Sequence, residues 1–194
     1  MYFFSHLFIS RVLYRNFRKE VKLNKLAFAF GNVKPDLPPA IFKDRHTLDN
    51  YLFIVYDKAN QLINNDLSAK EFSVKLGEVC HFLCDFFCYY HLNDKLHKKI
   101  FPHFFYELFL HLKLYIYRFK KNLKLPDAKA VPKKGIASII FELRRDYFSD
   151  PRSIKKDIDF SLSAAYAIFR RIIYFKKYSL DSAWQPEMNV HSHA

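Results

Sequence analysis

The sequence predicts an all-α fold, with one helical domain over residues 1–178 and a tail over residues 179–194. Only three of the 194 residues are glycine, whereas 22 are phenylalanine and 51% of the chain is apolar. This composition is typical of helices joined by short loops, because turn-rich β-sheets use more glycine. A chain of this length forms one domain that buries about 70% of its unfolded surface. No run of residues approaches the roughly 18 apolar positions of a membrane span.

Residues that start and stop helices place the elements of the first third of the chain. A helix over 5–18 is followed by a shorter one over 24–30, for which Gly31 would be the C-terminal cap. Three prolines within residues 35–39 predict an extended loop, because a residue before proline avoids the helical region. The next predicted helix covers residues 44–64.

Capping signals place the remaining helices. Ser68 and Glu71 have the spacing of a capping box, and the helix that they open is predicted to continue through His91. Pro102 suits the first turn of the helix that follows. The rest of the predicted order is a basic connection over 121–133, helices over 133–148 and 154–178, and a tail without helical period.

The motif with the clearest chemistry is His81-x3-Asp85-x5-His91, followed by His103-x3-Glu107. Residues four apart project from one face of a helix, so each histidine lies beside a carboxylate. On a continuous helix His91 would stand roughly 15 Å beyond His81, too far for one ion, and two ions are therefore expected. Imidazole mixed with carboxylate suits Zn²⁺, and zinc clusters split phosphate esters.

Packing in the core is the alternative interpretation of these side chains. A single histidine on an apolar helix face is more often a hydrogen-bonded core residue than a metal ligand. Two histidine–carboxylate pairs among many Phe and Leu residues favour ligation, because charged groups on an apolar helix are costly unless paired or bound.

Other residues near the motif are interpreted as structural. Cys80, Cys84 and Cys88 form a stripe at i, i+4 and i+8, and buried free cysteines explain it better than zinc thiolates do. His111 is interpreted as a packed histidine or as the partner of a ligand. His97 lies in a polar connection, and the sequence gives it no role.

Through these motifs the chain resembles the bacterial zinc-dependent phospholipase C family, whose trizinc α-helical fold is shared with the S1/P1 nucleases. The signature with a glycine before H-x3-D-x5-H is matched by residues 77–91, and the shorter H-x3-E by residues 103–107. A loop of small residues followed by Pro-Asp is matched by residues 31–36. His46 follows that loop, and His6 matches a histidine near the N-terminus. The resemblance implies a helical bundle of the phospholipase C/P1 nuclease type.

The resemblance also implies three zinc sites. The first would be formed by Asp36, His46, His81 and Asp85, the second by His91, His103 and Glu107 with a position for water, and the third by His6 with Asp85 as a bridge. In secreted members of the family the amine and carbonyl of the mature N-terminus complete the third site. Here Met1 lies only five residues before His6. We therefore expect two or three zinc ions, the third being weaker, with its site completed by water or empty. Asp36 is expected to orient or deprotonate the attacking water.

The resemblance implies hydrolysis of glycerophospholipids to diacylglycerol and a phosphorylated headgroup. A net charge of +13 with 19% aromatic residues favours an anionic partner, either an acidic membrane surface or nucleic acid. The alternatives are a single-strand nuclease of the S1/P1 type and a non-catalytic, metal-stabilised basic module that binds membranes or a protein. The enzymatic interpretation itself implies no protein partner.

The location of the protein is also an expectation from sequence. The N-terminal residues lack a basic segment and a small-residue cleavage site, so no signal peptide is expected. Three cysteines do not suggest a disulfide framework. These features predict a cytoplasmic protein that associates peripherally with membranes.

Overall fold

Eight α-helices make up most of the structure, a computed structural model that describes residues 1–37, 45–119 and 134–182. Within those ranges there is no β-strand, so the all-α prediction is confirmed. The helices are α1 (Phe3–Phe17), α2 (Lys25–Val33), α3 (Leu48–Asn64), α4 (Ala69–Phe86), α5 (Asp94–His97), α6 (Ile100–Phe119), α7 (Ile136–Ser149) and α8 (Ile154–Ser182). The same ranges also contain two short 3-10 turns, Lys34–Asp36 and Tyr89–His91. None of the helices in these ranges has an apolar stretch sufficient to traverse a bilayer.

Helix α4 is the centre of the bundle. It packs against α1, α2, α3 and α8, and every residue from Gly77 to Phe86 is buried. A helix buried on all sides must be apolar all round or must pair its polar groups internally. The predicted capping box is present, because the Ser68 hydroxyl accepts from the Glu71 amide and the Glu71 carboxylate accepts from the Ser68 amide. The polar side chains on the buried half of α4 therefore need partners from neighbouring elements.

Two glycines let α2 and α4 approach closely. A Cβ atom on Gly31 would lie 2.1 Å from the Val74 carbonyl oxygen, and one on Gly77 would lie 2.5 Å from the Phe28 oxygen. The prediction that Gly31 caps α2 is wrong, because α2 continues to Val33 and Gly31 instead serves this contact.

Alanine at either glycine is expected to destabilise the fold. Because the clash is with backbone atoms of a neighbouring helix, Gly31→Ala and Gly77→Ala should each lower the free energy of unfolding by about 3 kcal/mol, the upper part of the usual range for overpacking. Urea denaturation measures the change. Gly135→Ala is the matched control, since a Cβ there meets no atom within 4 Å, and it should change stability by less than about 1 kcal/mol. Equal losses at all three positions would contradict the proposed contact.

Helix α4 ends at Phe86, and the prediction that it continues through His91 is wrong. The physical reason lies in contacts with side chains from other helices. The Asp157 carboxylate accepts a hydrogen bond of 2.7 Å from the Tyr89 amide, and the Arg144 guanidinium donates to the carbonyl oxygen of Phe86. These partners satisfy backbone groups that a longer helix would have bonded internally.

Two further features differ from prediction. Pro35 lies in the 3-10 turn rather than in an extended loop, and a proline at the start of a turn loses no hydrogen bond. Helix α8 continues through Ser182, so the residues predicted to begin the tail at 179 are helical. The prolines at 38 and 39, the basic connection over 121–133 and residues 183–194 of the tail lie outside the described residues.

Candidate metal centre

Eight side chains that the sequence analysis proposed as ligands lie together around the C-terminal half of α4. They are His6 on α1, Asp36 in the turn Lys34–Asp36, His46 just before α3, His81 and Asp85 on α4, His91 in the turn Tyr89–His91, and His103 and Glu107 on α6. His6, His81 and Asp85 have no solvent exposure, and the other five are buried or half-buried.

The first predicted set, Asp36, His46, His81 and Asp85, forms a compact group of donor atoms. His81 Nε2 lies 3.0 Å from His46 Nδ1 and 3.2 Å from Asp85 Oδ2. His46 Nδ1 lies 3.1 Å from the same Asp85 oxygen, and Asp36 Oδ1 lies 3.5 Å from His81 Nε2 and 3.7 Å from His46 Nδ1. Donor atoms bound tetrahedrally to one Zn²⁺ at 2.0–2.1 Å lie roughly 3.3 Å apart. The spacing fits a zinc ion.

The second predicted set, His91, His103 and Glu107, is equally compact. Glu107 Oε1 lies 2.9 Å from His91 Nε2 and 2.7 Å from His103 Nε2, and the two imidazole nitrogens are 3.2 Å apart. His103 and Glu107 are one turn apart on α6, as the i, i+4 spacing predicted. His91 joins them because α4 ends before it and the 3-10 turn directs its ring towards α6.

Asp85 links the first set to His6, and its Oδ2 atom also lies 3.7 Å from His91 Nδ1 of the second set. Its Oδ2 atom faces His46 and His81, whereas its Oδ1 atom lies 3.3 Å from His6 Nε2. The ring of His6 stacks on that of His81 at 3.9 Å between centroids. One carboxylate thus presents an oxygen to each of two groups of imidazoles.

The Met1 amine also lies inside the centre, which the sequence analysis did not expect. Its nitrogen lies 2.6 Å from Asp85 Oδ1, 3.0 Å from Glu107 Oε1 and 2.8 Å from His91 Nε2. Although burial favours the neutral amine, Asp85 and Glu107 raise its pKa well above the ordinary value. The ammonium therefore makes the contacts of a cation between the two carboxylates.

The pKa of His81 is raised, because Asp85 and Asp36 outweigh the effect of its burial. Four other groups of the centre are shifted towards the forms that bind metal. Burial lowers the pKa of His6 to about 4 and also lowers that of His91, so both imidazoles are neutral at pH 7. Burial alone would raise the pKa of Asp85 and of Glu107, but the positive Met1 amine and the neighbouring imidazoles hold both well below their usual range. Neutral imidazole and ionised carboxylate are the forms that bind zinc.

Unpaired polar atoms show that the protein alone does not satisfy the centre. Among the described residues, both ring nitrogens of His6 and Nδ1 of His91 are buried without a hydrogen-bond partner. Two of these atoms lie near Asp85, His6 Nε2 at 3.3 Å and His91 Nδ1 at 3.7 Å. Buried polar atoms are usually paired, so the unpaired nitrogens indicate a missing partner. A metal ion supplies such a partner, and the residues present fit zinc.

Neighbouring groups hold the ligands in place. His81 Nδ1 lies 2.8 Å from the carbonyl oxygen of Asn32, on the α2 segment that the glycines bring close to α4. The buried carboxylate of Glu78 accepts from Lys34 at 2.6 Å and also from Lys58, and Lys34 opens the turn that carries Asp36. These contacts fix the orientation of ligands that come from different elements.

A buried carboxylate on α8 supports the second set. Asp157 accepts from the Tyr106 hydroxyl at 2.8 Å, from the Tyr147 hydroxyl at 2.7 Å and from the Tyr89 amide. Tyr89 begins the turn that carries His91, and Tyr106 precedes Glu107. The Asp157 network therefore positions both elements that carry the second set.

Solvent reaches the centre through a cavity of about 470 Å³. His103 and Glu107 line it together with Arg45, His97 and Phe104. His97 had no role in the sequence analysis, and the folding of α5 between α4 and α6 brings it here. The three cysteines are buried, and the ligand atoms of Cys88, His91 and Glu107 lie within 4.8 Å of one another, so the structural interpretation of the cysteines stays a prediction. His111 lies 3.3 Å from the Ser5 hydroxyl.

The comparison with known families agrees with this geometry. The family described as zinc dependent phospholipase C matches residues 5–154, which include all eight of the proposed ligands. No curated protein and no solved structure matches the chain.

Proposed function

Since the chain belongs to the zinc-dependent phospholipase C family, we propose that it hydrolyses a glycerophospholipid to diacylglycerol and a phosphorylated headgroup. The first and second ligand sets would each hold one Zn²⁺, and His6 with Asp85 would hold a third, weaker ion. Zinc at such a site supplies positive charge that stabilises phosphate oxygens and lowers the pKa of water. The observation that carries the proposal is the position of these ligands beside an open cavity and an apolar surface.

Asp36 is the residue that we propose as the base. Its side chain is 22% exposed, whereas Asp85 is fully buried and shared between two groups of imidazoles. A partly exposed carboxylate next to the ligands can accept a proton from a water at the phosphate, which a bridging carboxylate cannot do without leaving its partners. Asp36 therefore orients and deprotonates the water, and Asp85 holds the centre together.

The outer face of α6 favours lipid as the substrate. Eight large apolar side chains of this helix are exposed by between 47% and 78%: Ile100, Phe101, Phe104, Phe105, Phe109, Leu112, Tyr115 and Ile116. Soluble monomers rarely expose a continuous apolar surface of this extent without a partner. Aromatic residues with nearby lysines are typical of helices that lie in a membrane interface.

The α6 face is continuous with the cavity at the metal centre. Phe104 belongs to both, and His103 and Glu107 project from the same helix into the cavity. Lys98 and Lys99 are exposed at the N-terminal end of α6, and Lys113 is exposed further along it. Anionic lipid is attracted to such lysines, each contributing about 1 kcal/mol near an acidic surface. A lipid docked on α6 would have its phosphate close to the ligands.

The test of the proposal combines metal content with hydrolysis. Protein purified without chelator is expected to hold at least two Zn²⁺ per chain and to release a phosphorylated headgroup from vesicles of phosphatidylcholine with anionic lipid. Single-stranded DNA should not be cleaved under the same conditions. Fewer than one zinc per chain would exclude the proposed centre. Cleavage of DNA with lipid untouched would favour the nuclease, and inertness of the zinc-loaded protein towards both would favour a binding module.

Removal of apolar side chains from α6 is expected to weaken binding to membranes without changing the hydrolysis step. The double variant Phe101→Ser/Phe105→Ser should bind vesicles at least about tenfold more weakly, because two phenylalanines that enter the membrane contribute roughly 2 kcal/mol or more. Hydrolysis of a water-soluble, short-chain phospholipid should change by less than about twofold, since it needs no docking. Phe53→Ser on α3 is the control, because Phe53 is 79% exposed and lies outside α6. Equal losses with both substrates would contradict a docking role.

A further inference from the structure

The ring of His97 lies against the second ligand set. Its centroid is 5.0 Å from that of His91 and 4.7 Å from that of His103, and the centroids of His91 and His103 are 5.0 Å apart. The planes of the three rings meet at between 71° and 88°. One nitrogen from each ring lies within 4.8 Å of one nitrogen from the other two.

This geometry resembles three imidazoles that share an ion. Rings bound tetrahedrally to one Zn²⁺ at 2.0–2.1 Å have centroids roughly 5 Å apart. Histidines that pack for structural reasons have their ring nitrogens hydrogen-bonded to protein or water. In the described part of the chain no hydrogen bond or ion pair engages the His97 ring, and its close contacts are with two imidazoles. The arrangement is therefore not explained by partners within the protein.

We propose that His97 is a further ligand of the ion held by His91, His103 and Glu107. This inference rests on the second ion of the proposed function and adds a residue that the family motifs quoted above do not include. A set of three imidazoles and one carboxylate favours Zn²⁺, Co²⁺ or Ni²⁺ over Mg²⁺ and Ca²⁺, which prefer oxygen.

The surrounding structure holds His97 in position. Helix α5 is one turn long, and the side chain of Asn93 caps it by accepting from the Leu96 amide at 3.0 Å. Asp94 at its start lies 3.3 Å from the guanidinium of Arg45. Arg45 precedes His46 of the first ligand set, so α5 is attached to the segment that carries the other ion site. His97 is half-buried and lines the cavity, so it is a ligand on the solvent side of the set.

The experiment measures metal affinity and the absorption spectrum of the Co²⁺-substituted protein. His97→Ala is expected to weaken the binding of one of the ions by at least about tenfold, measured by competition with a chromophoric chelator. The visible bands of the cobalt protein should change in intensity and position, because an imidazole is lost from the coordination sphere. His97→Gln, which preserves the size of the side chain, should show the same spectral change.

His111→Ala is the matched control, since His111 is a half-buried histidine of α6 that contacts Ser5 rather than the proposed ligands. It should retain the affinity and the spectrum of the parent protein. If both His97 variants keep metal affinity within twofold and leave the cobalt spectrum unchanged, His97 is not a ligand, although the proposed function stands. A parent protein that binds no zinc or cobalt would overturn the proposed function and this inference together.

Discussion

Replacing Asp85 with alanine is expected to have the largest effect of any single substitution. Its two oxygens face His6 on one side and His46 and His81 on the other, so the variant should lose tightly bound zinc from more than one site. Lewis-acid stabilisation by metal is worth several kcal/mol, and its loss corresponds to a fall in phospholipid hydrolysis of about three orders of magnitude or more.

The same substitution is expected to destabilise the fold in the absence of metal. Removing one partner of a buried ion pair costs about 3–5 kcal/mol, because the remaining charge stays uncompensated. The Met1 amine, 2.6 Å from Asp85 in this structure, would be such a charge. Since the pKa of Asp85 is depressed, its contribution is fully present at neutral pH and is lost only as the pH falls through that depressed pKa.

Elemental analysis, hydrolysis assays and urea denaturation check these expectations for Asp85→Ala. The control is His111→Ala, which should retain zinc, activity and stability. A result in which Asp85→Ala keeps its full metal content and activity, while His111→Ala loses both, would show that the proposed ligands on α4 and α6 are wrongly assigned.

Asp36→Asn is expected to separate proton transfer from metal binding. The amide keeps the shape of the side chain and one oxygen but cannot take up a proton, so turnover should fall by about two to four orders of magnitude, the usual contribution of a general base. Zinc should remain largely bound, because His46, His81 and Asp85 keep their mutual distances of 3.0–3.2 Å. Turnover and zinc content are measured on the same preparation.

The alternatives for Asp36 have distinct outcomes. Loss of zinc in parallel with activity would make Asp36 chiefly a ligand, and unchanged turnover would exclude it from both roles. Asp57→Asn is the matched control, since Asp57 is exposed on α3 and its carboxylate accepts from Gln61, away from the proposed ligands. It should leave both zinc content and turnover unchanged.

The parts of the centre that follow from local spacing were predictable from sequence. His81 with Asp85, and His103 with Glu107, lie four residues apart on regular helices, and helical geometry alone places each pair on one face. The all-α class likewise follows from composition. The closeness of the two pairs to each other does not follow from local spacing, because it depends on how α6 is placed beside α4 by its packing against α1 and α8.

The position of His91 shows why the arrangement of the two pairs in space could not be predicted from sequence. Its local sequence is compatible with a continuing helix, and the helix ends because Arg144 and Asp157, more than 50 residues away in the chain, bond to the backbone there. Because α4 ends there, the short helix α5 follows, and the ring of His97 lies against those of His91 and His103. The even spacing of six residues between these three histidines was visible in the sequence, but no regular helix or strand places residues six apart side by side.

Helix α6 has proposed ligands on its inner side and an apolar surface on its outer side, and its thickness sets the distance between them. An α-helix with its side chains is about 10–12 Å thick and does not compress, so the depth of the metal centre below the docking surface is constant. A phospholipid that enters through the cavity at Phe104 would have its acyl chains on the outer side and its phosphate on the inner side, a fixed distance apart. Helix α6 would then act as a molecular ruler, selecting among lipids by the distance between the acyl chains and the phosphodiester bond rather than by headgroup chemistry alone.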